Sequence, residues 1–276
     1  MNSNAIRKAY LPLTNCDLDQ IAQSGQCFRW AMIAPGEYIV HDGHDQALLK
    51  QRGNLLALEY YGDRLAKWMH YLDVETDYDG ILHSIPAADK YLRAAADRAS
   101  GLRILNADLW EIMVSFIISQ NNNIPRIRRT VEAMCERLGE PRQGPAGTYY
   151  TFPDPADLKD VRRLQGLGLG YRDKYIAQLA RNVASGRVKL SKLHTMTTEE
   201  AHTYLKSIYG VGEKVSNCIL LFGLGRKEAF PVDTWMRKII GREYGGKFPV
   251  ELYPKTAGVM QQYMFFSERG KPKCSN

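Results

Sequence analysis

The chain has 276 residues, 45% of them apolar, enough to bury one large core or two to three small ones. Its net charge of +7 is uneven, at −3 over residues 1–100, +4 over 101–205 and +6 over 206–276, and a basic excess segregated in this way suits a polyanion. Five scattered cysteines (Cys16, Cys27, Cys135, Cys218 and Cys274) exclude a disulfide framework or a four-cysteine metal site, and no apolar run approaches the roughly 18 residues of a membrane span.

Reduced thiols, with no apolar leader core behind the N-terminal charges, lead to the expectation of a soluble cytoplasmic protein with no membrane partner. In chain order, the segments Cys27–Trp30, Glu37–Val40, Ala47–Lys50 and Leu55–Tyr60 are short apolar runs. Pro-Gly, Asp-Gly and Arg-Gly-Asn turn signals separate them, as in an antiparallel meander. From Asp63 onward the periodicity is helical, and it is expected to stay helical to the end. Leu109–Ile118 is apolar nearly all round and predicts a buried central helix. Asn123 is placed to cap a second helix with Pro125 in its first turn. Thr197–Glu200 offers a capping box. The fold class expected is α+β, with an N-terminal antiparallel sheet domain over 1–100. A mostly helical body follows over 101–276, with a helix-hairpin-helix at about 199–222.

The hairpin is the segment Ile208-Tyr209-Gly210-Val211-Gly212-Glu213-Lys214. Its Gly-x-Gly turn lets two helices meet tightly. The amides of Gly210, Val211 and Gly212, beside a helix N-terminus, can hold a phosphate of a nucleic acid backbone. Lys214 then stands next to that backbone, and Asp233 follows nineteen residues on in Phe230-Pro231-Val232-Asp233. An amine at Lys214 can attack a sugar carbon once it is neutral, and a free lysine, with pKa near 10.4, must be made so by its surroundings. Asp233 reads first as the N-cap of the helix after it. The same carboxylate can also stabilise positive charge developing on a sugar. Cys218 lies one helical turn after Lys214 on the same face, where a free cysteine ordinarily packs as a small hydrophobe.

Five stretches in order, spanning about Cys16 to Ser267, resemble the 8-oxoguanine DNA glycosylases of the helix-hairpin-helix glycosylase superfamily. They are Ser24–Trp30, Ser119–Ile127, Gly168–Arg172, the hairpin lysine and Pro-Val-Asp. The resemblance implies excision of 8-oxoguanine from duplex DNA, with Lys214 as nucleophile and Asp233 as its electrostatic partner, followed by strand cleavage through a Schiff base. It implies that Gly25 discriminates the lesion through a main-chain carbonyl aimed at the N7 hydrogen, and that Cys218 and Phe265 sandwich the flipped base while Gln261 reads its edge. Gln262 and Phe266 are the alternates one residue on. It places Asn121, Arg126, Tyr171 and Arg172 in the gap left by base flipping, where they hold the opposite cytosine and wedge the stack. Trp235 stands where many relatives carry a phosphate-contacting histidine, and its indole N–H is a possible donor.

No catalytic metal or other cofactor is expected. A monovalent cation on the hairpin carbonyls near Ile208 to Val211 is possible, and an iron–sulfur cluster is not expected because only Cys274 follows Cys218. The partner expected is double-stranded DNA containing oxidised guanine, bound by a monomer. The other reading is a non-catalytic helix-hairpin-helix DNA-binding module, which explains the hairpin and the charge but not the Lys214–Asp233 pair. Metalloprotease, serine-hydrolase, dinucleotide and nucleoside-triphosphate motifs are missing from the sequence.

Overall fold

A computed structural model describes residues 5–270. Strands β1 (Ile6–Pro12), β2 (Trp30–Ala34), β3 (Glu37–Asp42), β4 (Asp45–Arg52) and β5 (Leu55–Tyr61) form one antiparallel sheet in the order β1-β5-β4-β3-β2. Alternation sets the register, with Val40 opposite Ala47 and Leu49 opposite Leu58, and all four are buried on one face. That face packs on helix α1 (Leu18–Gln23), through Leu18 and Ile21, and on α2 (Leu65–Tyr71), through Trp68 and Tyr71.

The helical body follows as α3 (Tyr78–His83), α4 (Lys90–Arg98), α5 (Leu109–Ile118), α6 (Ile124–Leu138), α7 (Pro155–Leu158), α8 (Arg172–Ala184), α9 (Leu190–Leu193), α10 (Thr198–Lys206), α11 (Glu213–Gly223), α12 (Thr234–Tyr244) and α13 (Ala257–Arg269). Every residue of α5 is buried, as its uniform apolarity requires, and α8 and α11 both pack against it. Asn123 accepts from the Arg126 N–H and caps α6, with Pro125 in the first turn.

Three expectations are corrected. Only Trp30 of Cys27–Trp30 belongs to a strand. Phe28 and Arg29 are instead drawn into the junction of sheet and body. The Arg29 guanidinium donates to Glu111 of α5 at 3.1 Å, to the Gly43 carbonyl and to the Tyr150 carbonyl, so it stitches the β3–β4 turn to the body. Second, the region after Asp63 is not helical throughout. A hairpin of β6 (Pro141–Gly144) and β7 (Gly147–Tyr150) interrupts it. Third, the sheet has an additional edge strand, β1, which the notable Gly-punctuated pattern of the other four does not announce.

The junction is rich in buried charge. Burial pushes the Glu111 carboxyl up to about 7, against the pull of Arg29. Burial, then the Arg29 charge, pushes the nearby His41 ring down to about 4. The cores fall into two clusters. One lies under the sheet and includes Leu105; the other contains α3, α4 and the later helices.

Candidate active site

The capping box on α10 is formed, with Thr197 accepting from the Glu200 N–H and the Glu200 carboxylate accepting from the Thr197 N–H. The chain then turns through Ser207–Gly212 into α11. Gly210 has φ +87°, and a Cβ there would lie 2.5 Å from Cγ of Tyr175, so the hairpin closes against that ring. The Gln120 side-chain amide donates to the Gly210 carbonyl at 2.9 Å and ties the hairpin to the loop after α5. Of the carbonyls expected to face a cation, that of Ile208 accepts from the Val211 N–H and that of Gly210 from Gln120. Gly212 is the N-cap of α11 and has no side-chain cap, which leaves the first amides of the helix open to an anion.

Lys214 lies in the first turn of α11 and is half-buried. Its Nζ sits 4.8 Å from the centre of the Phe116 ring and donates to Ser119 Oγ at 3.3 Å. Ser119 in turn donates to the Phe116 carbonyl at the end of α5. The nucleophile candidate is thus held between an aromatic face and a hydroxyl. Asp233 caps α12 through the Met236 N–H at 2.8 Å, so its charge is anchored on the positive end of that helix. Burial pushes the Cys218 thiol up, with the neighbouring Lys214 ammonium pulling the other way.

Lys214, Cys218 and Asp233 line one cavity together with Gly25, Gln261 and Phe265. The space between these side chains is about 330 Å³, part of it open to solvent at the mouth. The elements of the walls explain the convergence. Gln261 and Phe265 are one turn apart on α13. Gly25 sits at φ +85° between the buried residues Ser24 and Gln26, whose side chains bond one another and the Ile21 and Arg103 carbonyls. Gln262, the alternate, also lines the cavity. It donates to Gln261 Oε1 at 2.8 Å and leaves its own Oε1 unpartnered and buried.

The four residues expected in the flipping gap converge from three segments. Asn121 is exposed at φ +46° and donates to the Tyr171 hydroxyl at 3.3 Å. Arg126 is exposed on α6 and reaches the Gly168 carbonyl at 3.1 Å. Tyr171 is 46% exposed beside α8. Arg172 is placed differently from an open reader. It is 6% exposed and donates to the Gln120, Leu169 and Asn121 carbonyls, holding the loop that presents Asn121. Trp235 is 45% exposed in the first turn of α12, next to Asp233.

Sequence reasoning missed Phe116, Ser119, Gln120 and Tyr175. Phe116 and Tyr175 read only as helix residues, and Ser119 and Gln120 lie inside a motif noted for the asparagine after them. Among the described residues, no three His, Cys, Asp or Glu side chains are grouped as for a metal. Cys274 lies outside those residues.

An α+β frame with a Gly-x-Gly hairpin, a lysine behind it and an aspartate across a narrow slot defines the helix-hairpin-helix class of DNA base-excision glycosylases. Residues 9–113 match the family model for the 8-oxoguanine DNA glycosylase N-terminal domain, and residues 114–249 that for the HhH-GPD superfamily of base excision DNA repair proteins. The N-glycosylase/DNA lyase of Saccharomyces cerevisiae is 30% identical over 87% of this chain and 70% of its own. The chain belongs to the 8-oxoguanine DNA glycosylase family. A probable N-glycosylase/DNA lyase of Methanothermobacter thermautotrophicus is 28% identical over 92% of each chain. The Clostridium acetobutylicum 8-oxoguanine glycosylase/lyase, solved with double-stranded DNA containing cytosine opposite 8-oxoguanine, is 29% identical. It superposes with a TM-score of 0.88 over 98% of this chain and 99% of that one.

Proposed function

We propose that the protein excises 8-oxoguanine from duplex DNA, preferentially opposite cytosine, and then cleaves the strand. The observation that carries the reading is the meeting of Lys214, Asp233, Cys218, Gly25, Gln261 and Phe265 around one slot beside the hairpin. The neutral Lys214 amine attacks C1′, and the C1′–N9 bond breaks with its electron pair leaving on the base. Asp233 stabilises the positive charge on the sugar while that bond lengthens. The attached amine passes one proton to the departing base and a second to the ring oxygen O4′, whose bond to C1′ breaks as the C1′=N bond of the Schiff base forms. Loss of a C2′ proton then expels the 3′ phosphate. These steps balance with side chains and water alone.

Cys218 and Phe265 are assigned the two faces of the base, Gln261 its edge and Gly25 the N7 hydrogen that guanine lacks. Leaving a buried polar group unpaired costs roughly 1–3 kcal/mol, so one such contact gives about tenfold to a hundredfold selectivity. Asn121 and Arg126 face the orphaned base, Tyr171 wedges the stack, and Arg172 supports Asn121. Gly210, Val211, Gly212 and Trp235 take the DNA backbone, and a monovalent cation on the hairpin carbonyls is part of the same proposal. The protein acts as a monomer on intracellular DNA, and among the described residues no helix is long and apolar enough to cross a membrane. The test is single-turnover excision from duplexes carrying 8-oxoguanine opposite each of the four bases, with undamaged guanine as control. Excision that is fastest opposite cytosine and absent from guanine is expected. Release of some other base with 8-oxoguanine untouched contradicts the substrate assignment.

A further inference from the structure

The slot has an unassigned member. α13 presents Gln261, Phe265 and Arg269 at four-residue intervals, so the three lie along one face. The Arg269 guanidinium lies 5.4 Å from the centre of the Phe265 ring, and its Nη1 donates to the Gln23 carbonyl at 3.0 Å. Gln23 is the last residue of α1, two residues before Gly25. A Cβ on Gly25 would meet Ile124 Cδ1 at 2.9 Å, Arg269 Nη1 at 3.3 Å and Phe265 Cε1 at 3.6 Å, so the guanidinium and the ring both stand over the glycine, beside Ile124.

The end of α1 needs such partners. Its last carbonyls have no intrahelical donors, and no basic side chain lies in its own last turn. Ile21 O accepts from Ser24, Ala22 O from Arg128 of α6, and Gln23 O from Arg269 of α13. Arg128 fastens α1 from α6. Arg269 contacts both the glycine segment and the stacking ring, two walls of the slot.

We propose that Arg269 is a specificity-determining positioning residue, a latch that sets the spacing between the Gly25 segment and the Phe265 ring and thereby enforces the lesion contact at Gly25. The proposal rests on the reading of the slot as the 8-oxoguanine pocket. With the latch in place, the glycine segment cannot retreat from a guanine that lacks the N7 hydrogen. Without it, the segment relaxes and the penalty against guanine falls.

The test compares parent, Arg269→Lys and Arg269→Met. Discrimination is the ratio of dissociation constants for guanine:cytosine and 8-oxoguanine:cytosine duplexes, measured by fluorescence anisotropy in a Lys214→Gln background. Cleavage of a preformed abasic site, with Lys214 intact, reports Lys214 and Asp233 when no base is there to be read. Arg269→Met is expected to lower discrimination by roughly tenfold to a hundredfold, the worth of the Gly25 contact, with abasic-site cleavage within twofold of the parent. Arg269→Lys keeps a donor for Gln23 but not a planar cover for Phe265, and is expected to fall between the two. Unchanged discrimination in Arg269→Met, or an equal loss of abasic-site cleavage, overturns the latch. If the methionine variant does not fold, parent-level discrimination in the lysine variant overturns it. A parent that does not prefer 8-oxoguanine at all instead refutes the substrate reading on which the latch rests.

Discussion

The hairpin closes on the Tyr175 ring, and Gly210→Ala probes that closure. Alanine at φ +87° carries a backbone cost of about 1–2 kcal/mol. Its Cβ would also stand 2.5–2.7 Å from three atoms of the Tyr175 side chain, and forcing extra atoms into a packed site costs roughly 1–3 kcal/mol. The expected total is about 2–5 kcal/mol, with weakened binding to a duplex carrying an abasic analogue, because the displaced hairpin no longer presents its amides. The two parts are separable by a double-mutant cycle with Tyr175→Ala, read by denaturant unfolding. Removing the ring relieves the steric part only, so Gly210→Ala should cost about 1–3 kcal/mol less in the Tyr175→Ala background than in the parent. Strict additivity, within about 0.5 kcal/mol, would refute the claim that the hairpin is shaped against this ring.

Arg172→Ala should destabilise by roughly 2–4 kcal/mol, because three loop carbonyls lose a buried charged donor. Hydrogen exchange should rise first in the 119–123 loop, and protection unchanged there would contradict the supporting role. Arg126→Ala should relax the preference among opposite bases while 8-oxoguanine is still excised; an unaltered preference removes Arg126 from the readers. The His41 ring is held down to about 4 from its ordinary 6.5, so protonation favours the unfolded chain and stability is lost as pH falls from about 6.5 toward 4. Glu111, held up to about 7, titrates in the opposite sense, so the His41 contribution must be read as a difference. The stability of His41→Gln relative to the parent should improve by at most about 2 kcal/mol between pH 7 and pH 5. A pH-independent difference would place His41 in contact with solvent.

Much of this was legible in the sequence because the informative residues are local. The hairpin glycines, the caps at Asn123 and Thr197 and the uniformly apolar α5 each declare themselves within a few positions. Strand β1 did not, since Ile6–Pro12 lies at the sheet edge with most of its side chains exposed and has little alternation to read. Nor did Arg29, whose partners Glu111 and Tyr150 lie 82 and 121 residues away. Arg172 illustrates the limit on single-residue roles. The resemblance set it beside the opposite base, whereas its guanidinium donates to three carbonyls brought together only by the fold. Ser119, Gln120 and Arg269 acquire meaning only once α5, α11, α13 and the hairpin are assembled.

The central claim is that Lys214 attacks the sugar of an 8-oxoguanine nucleotide. Borohydride trapping tests it most directly, on duplexes containing one 8-oxoguanine, with undamaged guanine as control and Lys214→Gln beside the parent. A covalent protein–DNA adduct with the lesion alone, lost in Lys214→Gln while duplex binding persists, is the predicted result. An adduct that survives in Lys214→Gln, or lesion turnover without any trappable adduct, would contradict the assignment of the nucleophile.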